Sequence, residues 1–326
     1  MIPYQVDATT FETKWNFCNA DGMELRLKRQ DMTQLKTQLQ NIEEIKTVLQ
    51  EVYIAHSWEN QTVDVRLIYL PCTEDGCDTI SLFTIIKKYL MSNFVFSHAQ
   101  IQKKLEINKP ESEEELFKKA VRFISKKTAH GELGELLLFT LLEVYLGAPK
   151  ILSKVSMKSS TKMPVHGADA VHAQYVNNQL RLYLGESKLY TSFKKAVYKA
   201  ADSISTSRIN YEHEFDLIET HMSFPEITKD LERELITILN PFEEHFDHAS
   251  IMHFPCFIGF AEPNCFLDKD TYLDIYKKIA LEYMNFYFSS LQNKQIDCQK
   301  TTLLMLPFSS ISEVVKEFVF HMGINE

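Results

Sequence analysis

Two alternating segments on either side of Asn177–Asn178 constrain the fold of this 326-residue chain more than any other feature of its sequence. Asparagine tolerates the positive φ angles of a tight turn, so the pattern predicts a β-hairpin with these two residues as its loop. In that register Ala173 faces Leu182, and Asp169 lies directly opposite Glu186 on the partner strand. The hairpin therefore brings two carboxylates side by side at one end of an apolar stripe.

A lysine lies on the same face as the two carboxylates. Side chains alternate along a strand, so Lys188, two residues beyond Glu186, shares the face that Asp169 occupies on the partner strand. Carboxylates opposed across a strand pair destabilise it by roughly 0.2–1 kcal/mol, and a divalent cation would remove that repulsion. Mg²⁺ is typically held by one or two carboxylates together with substrate phosphate. The simpler alternative is a solvated hairpin end at which Lys188 pairs with Glu186.

A predicted helix upstream carries two more acids. The segment 130–146 has helical periodicity and is followed by Gly147, a residue that commonly ends helices. Glu132 and Glu135 are three residues apart and share a face of this helix. Acids are common in a first helical turn because they complement the helix dipole, so on their own these two would indicate nothing further. Combined with the hairpin carboxylates and the lysine, they favour a metal-dependent site over a solvated surface.

The distribution of charge limits the partners that the chain could bind. Its formal net charge of −9 argues against a protein that coats nucleic acid through electrostatics alone. Lysines nevertheless concentrate on both sides of the hairpin, at Lys150, Lys154, Lys158, Lys162, Lys188, Lys194, Lys195 and Lys199. Such a basic rim suits a phosphate-bearing substrate, with Lys158, Lys162, Lys194 and Lys195 as its predicted contacts. A solvated surface explains any single one of these lysines equally well.

Composition and motif spacing exclude several classes of protein. Apolar residues make up 45% of the chain and charged residues 24%, as in ordinary soluble proteins, so disorder is not expected. No apolar run approaches the ~18–20 residues that cross a bilayer, and the first residues lack the pattern of a signal peptide. We therefore expect a cytoplasmic protein that is not bound to a membrane. The sequence has no Gly-x₄-Gly-Lys-Ser/Thr motif, so we expect no P-loop ATP site in this chain.

Length and pattern predict two domains. Residues 1–110 contain a predicted helix over 31–52, a strand over 63–70 and a helix over 80–94, with no recognisable chemical motif. From residue 111 onward, the order helix, strand, hairpin, helix, strand, helix, strand, helix predicts a mixed sheet flanked by helices. The expected fold class is α/β (α+β mixed), with an N-terminal α/β domain over 1–110 and a second domain over 111–326.

One arrangement survives these exclusions: a helical Glu, a basic loop, an Asp on one strand and Glu-x-Lys on the next. It resembles the PD-(D/E)XK nuclease signature, which implies a restriction-endonuclease-like core. The resemblance implies that Asp169 and Glu186 hold one or two Mg²⁺ ions, for which Mn²⁺ substitutes, and that Lys188 is the catalytic lysine. Glu135, or alternatively Glu132, would complete the metal site from the helix.

Longer segments resemble a single family. These segments are His130-Gly-Glu-Leu-Gly-Glu-Leu-Leu-Leu, Gly167-Ala-Asp-Ala-Val-His and Gly185-Glu-Ser-Lys-Leu-Tyr. They are similar to the HamA family, the nuclease subunits of the bacterial Hachiman antiphage system. This resemblance implies a DNA endonuclease effector restrained by a superfamily 2 type, HamB-like helicase that hydrolyses ATP, and residues 1–110 are the expected docking surface. A non-catalytic DNA-binding or assembly subunit and an RNA-directed nuclease remain the alternatives.

Overall fold

The computed structural model of the chain describes residues 35–73, 76–107, 112–152, 154–157, 167–177, 179–222, 229–240, 242 and 246–324. Residues 34–326 form one compact unit. Among the described residues, no helix is both long enough and apolar enough to cross a membrane.

A mixed β-sheet is the centre of the fold. The strands of the described residues are β1 (Gln50–Trp58), β2 (Gln61–Tyr69), β3 (Cys72–Thr73), β4 (Gly76–Cys77), β5 (Lys150–Leu152), β6 (Ala170–Val176), β7 (Gln179–Tyr190), β8 (Met252–Ala261) and β9 (Thr301–Phe308). Seven of these form one sheet in the order β1-β2-β9-β8-β7-β6-β5, and β3 pairs with β4. The four strands β2, β9, β8 and β7 are mutually parallel, whereas β1, β6 and β5 pair antiparallel with their neighbours.

Helices connect the strands. Those of the described residues are α1 (Ile42–Val48), α2 (Thr79–Ile85), α3 (Met91–Val95), α4 (His98–Ile107), α5 (Ser112–Val121), α6 (Ala129–Tyr145), α7 (Lys154–Met157), α8 (Phe193–Ile209), α9 (Tyr211–His221), α10 (Lys229–Ile238), α11 (His248–Ile251), α12 (Tyr272–Gln292) and α13 (Ile311–Met322). A π-helical turn over Ile86–Leu90 joins α2 to α3. The hydroxyls of Ser192 and Ser310 accept the N–H groups of Lys195 and Glu313, in the first turns of α8 and α13, and so cap the start of these helices.

Helices cover both faces of the sheet, so a hydrophobic core lies on each side. The core on one face contains residues of α8 and α12, and the core on the other face contains residues of α6 and α13. Strands β8 and β9 are buried along almost their whole length, as parallel strands covered on both faces should be. Strand β7 contributes Leu184 to the first core and Leu189 to the second, so its successive side chains face different helices.

The structure confirms the predicted fold class, a mixed sheet flanked by helices. The strand predicted over 63–70 is β2. Of the helix predicted over 31–52, only Ile42–Val48 is helical. The described residues 35–41 are not helical, the chain enters β1 at Gln50, and residues 31–34 lie outside the described part. The sheet also extends across the predicted domain boundary at residue 110, since β2 pairs with β9 through Leu67 and Met305.

Candidate active site

The β6–β7 hairpin has the register that the sequence predicts. Val176 pairs with Gln179, and Ala173 pairs with Leu182. Asn177 adopts a positive φ of 52°, which explains why an asparagine at this turn is favoured over a β-branched residue. The ladder continues to the pair formed by Ala170 and Gly185.

Asp169 lies one residue before the first pair of the ladder. Its backbone N–H donates to the carbonyl of Gly185 at 2.9 Å. Its carboxylate atom Oδ2 accepts hydrogen bonds from the N–H group of Ser187 at 2.8 Å and from the Ser187 hydroxyl at 3.1 Å. The acidic side chain is therefore bonded to β7 between Glu186 and Lys188.

Glu186 and Lys188 form a pair that is largely withdrawn from water. The Nζ of Lys188 donates to Oε1 of Glu186, whose side chain is 8% exposed, while that of Lys188 is 17% exposed. Glu186 and Lys188 lie on the same face of β7 as Leu184, so they extend toward the core that contains α8. Ser203 of α8 hydrogen-bonds to Glu186. The alternative of a solvated hairpin end therefore predicts the Lys188–Glu186 pairing but not its burial.

The electrostatics show that the carboxylates of Asp169 and Glu186 repel each other. Burial, followed by the negative charge of Asp169, raises the pKa of Glu186 above its ordinary value. Burial alone would lower the pKa of Lys188, but the charges of Glu186 and Asp169 outweigh that effect and raise it. Lys188 is consequently protonated at neutral pH, and the hairpin end holds two acidic groups around one cation.

Helix α6 packs closely on the other face of the hairpin. A Cβ atom on Gly134 would lie 3.3 Å from the Ser187 hydroxyl, and one on Gly185 would lie 3.0 Å from Leu138. Glu135 is half-buried and lies between Gly134 and Leu138 in the sequence of α6. Glu132 is buried, with 2% exposure, and lies nearly two turns before Leu138.

The structure brings some of the predicted ligands together and not others. The charge of Asp169 acts on both Glu186 and Lys188. Asp169 is not paired directly opposite Glu186 as the predicted register requires, because its N–H group donates to Gly185 and its carboxylate accepts from Ser187. No three side chains of His, Cys, Asp or Glu converge on a metal-sized site within the described part of the chain. The third ligand from α6, Glu135 or Glu132, therefore stays a prediction.

A small cavity adjoins Asp169 on the α6 side of the sheet. The side chains that line it include Phe139, Lys150, Lys154 and His172. The Nδ1 atom of His172 lies 2.8 Å from the carbonyl of Ala148, whereas its buried Nε2 has no hydrogen-bond partner within the described residues. Burial lowers the pKa of His172 to about 3, so the ring is neutral. Sequence reasoning missed this histidine, because a single His on a strand has no distinguishing spacing.

The predicted substrate-binding lysines fall into two groups. Lys158 and Lys162 lie outside the described residues. Lys194 and Lys195 are exposed in the first turn of α8, directly after the strand that carries Lys188. Lys194 pairs with Glu282 at 2.9 Å. An exposed ion pair of this kind is weak, so Lys194 remains accessible to an anionic ligand.

Comparison with known proteins assigns a family to this fold. Residues 44–322 match the family model described as HamA. The match spans both sides of the sheet, including the β6–β7 hairpin and the helix α6. None of the curated proteins compared with the chain matches it. The chain therefore belongs to the HamA family and is a component of the Hachiman antiphage defence system.

Proposed function

We propose that the chain is the nuclease of its defence system, a Mg²⁺-dependent DNA endonuclease that a partner helicase controls. The observation that carries this proposal is the group formed by Asp169, Glu186 and Lys188 at the end of the β6–β7 hairpin. Glu186 and Lys188 are largely withdrawn from water, and the half-buried Asp169 lies beside them although its charge disfavours ionised Glu186. Such an arrangement lowers stability and is retained where function requires it.

The donor set fits a hard divalent cation. Asp169 and Glu186 supply the carboxylate oxygens that Mg²⁺ and Mn²⁺ prefer, and a cation between them would offset the repulsion that raises the pKa of Glu186. Among the described residues, the hydrogen bonds to the Asp169 carboxylate both go to Oδ2, which leaves Oδ1 for a metal ion in the proposed site. When bound, the ion would lower the pKa of a coordinated water and neutralise charge on the scissile phosphate.

The residues of the chain would have separate roles. Asp169 and Glu186 would hold the ion, and Glu135, or alternatively Glu132, would supply a third ligand from α6. Lys188 would stabilise the negative charge that develops on the phosphate, and would help to position or deprotonate the attacking water. Lys194 and Lys195 would contact the nucleic-acid backbone beside the site.

The proposed helicase partner accounts for two properties of the chain. The sequence contains no P-loop, so ATP hydrolysis would have to come from another subunit. The net charge of −9 disfavours tight binding to DNA by the chain alone, and a helicase that delivers the strand would remove this obstacle.

Cleavage of supercoiled plasmid tests the proposal. The purified chain is incubated with Mg²⁺, with Mn²⁺ or with EDTA, each with and without the helicase and ATP, and single-stranded RNA is tested in parallel. The proposal predicts metal-dependent nicking of DNA that EDTA abolishes. Cleavage of RNA alone would favour the RNA-directed alternative, and no cleavage even with the helicase and ATP would favour a non-catalytic subunit.

A further inference from the structure

A buried ion pair lies next to the backbone that precedes Asp169. The Nζ of Lys154, at the start of α7, donates to Oε2 of Glu214 at 2.8 Å and to Oε1 at 3.1 Å. Glu214 belongs to α9, and the two side chains are only 7% and 2% exposed. Taking two charges out of water is costly, and a buried ion pair is often no more stabilising than apolar side chains of similar volume. The pair therefore requires an explanation other than stability.

The carboxylate of Glu214 also holds the backbone in place. The N–H group of Ala168 donates to Oε1 of Glu214 at 2.6 Å. The preceding residue, Gly167, has a φ of 108°, which side-chain-bearing residues rarely adopt. A Cβ atom on Gly167 would lie 1.7 Å from the same Oε1 atom. Only glycine allows the carboxylate to approach the chain this closely.

Asp169 is thus fixed from two directions. On its N-terminal side, Ala168 is bonded to Glu214; on its other side, the Asp169 N–H group and carboxylate are bonded to Gly185 and Ser187. We infer that Glu214 is a positioning residue for Asp169, and that Lys154 holds the Glu214 carboxylate in place beside the Ala168 N–H group. This inference rests on the proposed function, because it treats Asp169 as a metal ligand.

Outer groups that orient a metal ligand typically change metal affinity by 10–100-fold when they are removed. The expected consequence of losing Glu214 is therefore weaker binding of the cation, separate from any loss of stability. A purely structural role would change the unfolding temperature but leave the metal affinity of the folded protein unchanged.

Calorimetric titration of the full-length chain with Mn²⁺ tests the inference, with thermal unfolding in EDTA measured on the same samples. The variants are Glu214→Ala and Glu214→Gln. Both remove the negative charge that faces Lys154, so both should lower stability, but glutamine keeps an oxygen that can accept from Ala168. Phe215→Leu, a core substitution on the same helix, serves as the control for lost stability, since Phe215 is fully buried. Asp169→Ala shows how far Mn²⁺ affinity falls when the proposed metal ligand itself is removed.

We expect Glu214→Ala to weaken Mn²⁺ binding about tenfold or more. Glu214→Gln should keep most of the affinity, and Phe215→Leu should keep all of it. Equal affinity of Glu214→Ala and the unsubstituted chain would overturn the inference, as would equal losses in Glu214→Ala and Phe215→Leu. If Glu214→Ala fails to fold, Lys154→Met takes its place, because it removes the cation that holds the Glu214 carboxylate beside Ala168. Weaker Mn²⁺ binding in Lys154→Met than in Phe215→Leu would then support the inference, and equal affinity in these two variants would overturn it. Absence of Mn²⁺ binding by the unsubstituted chain would contradict the proposed metal site itself, and with it this inference.

Discussion

Asp169 accepts hydrogen bonds from both the backbone N–H and the hydroxyl of Ser187, at 2.8 and 3.1 Å. Because Ser187 lies between Glu186 and Lys188, these bonds place the Asp169 charge beside both of them. The hydroxyl bond is the weaker of the two by length, and the N–H bond does not depend on the side chain. Asp169 is therefore held mainly by the backbone of β7.

Ser187→Ala should have a small effect for this reason. The substitution removes one neutral donor and leaves the N–H bond, so we expect a loss of about 1 kcal/mol in the free energy of unfolding. Plasmid cleavage should fall less than tenfold, whereas Asp169→Ala should abolish it. A Ser187→Ala variant as inactive as Asp169→Ala would show that the hydroxyl itself takes part in the reaction.

The raised pKa of Glu186 predicts how stability depends on pH. Burial and the charge of Asp169 raise this pKa from 4.5 to about 8, so the folded state favours the protonated carboxyl. The contribution of Glu186 to stability is therefore complete below pH 4.5 and is lost as the pH rises toward 8.

Glu186→Gln should remove this dependence. In EDTA at pH 8, we expect the variant to be more stable than the unsubstituted chain by about 1 kcal/mol or more, with little difference near pH 4.5. Urea unfolding at several pH values measures the effect. Mg²⁺ should stabilise the unsubstituted chain and not the variant. An equal pH dependence in both proteins would contradict the assigned electrostatics.

Gly167→Ala should strongly destabilise the fold. The residue has a positive φ, and a Cβ atom would meet the Glu214 carboxylate, so we expect a loss of roughly 3 kcal/mol in the free energy of unfolding. Gly131→Ala is the matched control, because Gly131 lies in the helix α6 with no atom within 4 Å of an added Cβ. That control should gain about 0.5–1 kcal/mol from its better helix propensity. Equal effects of the two substitutions would contradict the geometry at Gly167.

The buried pair of Glu143 and Lys150 should be strongly coupled. The Glu143 carboxylate accepts the N–H groups of Gln38 at 2.6 Å and of Lys150 at 2.8 Å. Burial raises the pKa of Glu143 and lowers that of Lys150, and the Lys150 Nζ donates to the carbonyl of Phe96 at 2.9 Å.

Replacing either residue alone should cost about 3–5 kcal/mol, because the remaining buried group would lose the opposite charge that favours its ionised form. The double variant Glu143→Ala with Lys150→Met should cost less than the sum of the two single variants in urea unfolding. Lys118→Ala, which breaks an exposed pair with Glu114, should have no measurable effect. Strict additivity at Glu143 and Lys150 would show that the two side chains do not interact.

Local sequence pattern predicted the elements whose stabilising contacts are local. The hairpin register follows from a two-residue turn and strict alternation, both contained within about twenty residues. The strand β8 has a run of apolar residues that is typical of a buried parallel strand. The helix predicted over 31–52 was extended too far into β1, where Val52 and Ile54 belong to an alternating strand. The apolar spacing up to Leu49 fits a helix and does not show where the helix ends.

Contacts between distant parts of the chain could not be predicted in this way. The pairing of β2 with β9 joins segments more than two hundred residues apart, and single-sequence patterns do not indicate which strands become neighbours. Glu214 likewise lies 46 residues from Ala168, and nothing in the sequence distinguishes it from other acidic residues of a helix. Its contact with the backbone before Asp169 depends on tertiary packing alone.

Replacement of Lys188 tests the central claim most directly. The initial rate of Mg²⁺-dependent plasmid cleavage, with helicase and ATP present, would be compared for the unsubstituted chain, Lys188→Ala and Lys199→Ala, an exposed lysine on α8. Circular dichroism would establish that all three proteins are folded. The proposed function predicts that Lys188→Ala lowers the rate by about 100-fold or more, while Lys199→Ala changes it little. Cleavage by a folded Lys188→Ala variant at the rate of the unsubstituted chain would contradict an active site at the end of the β6–β7 hairpin.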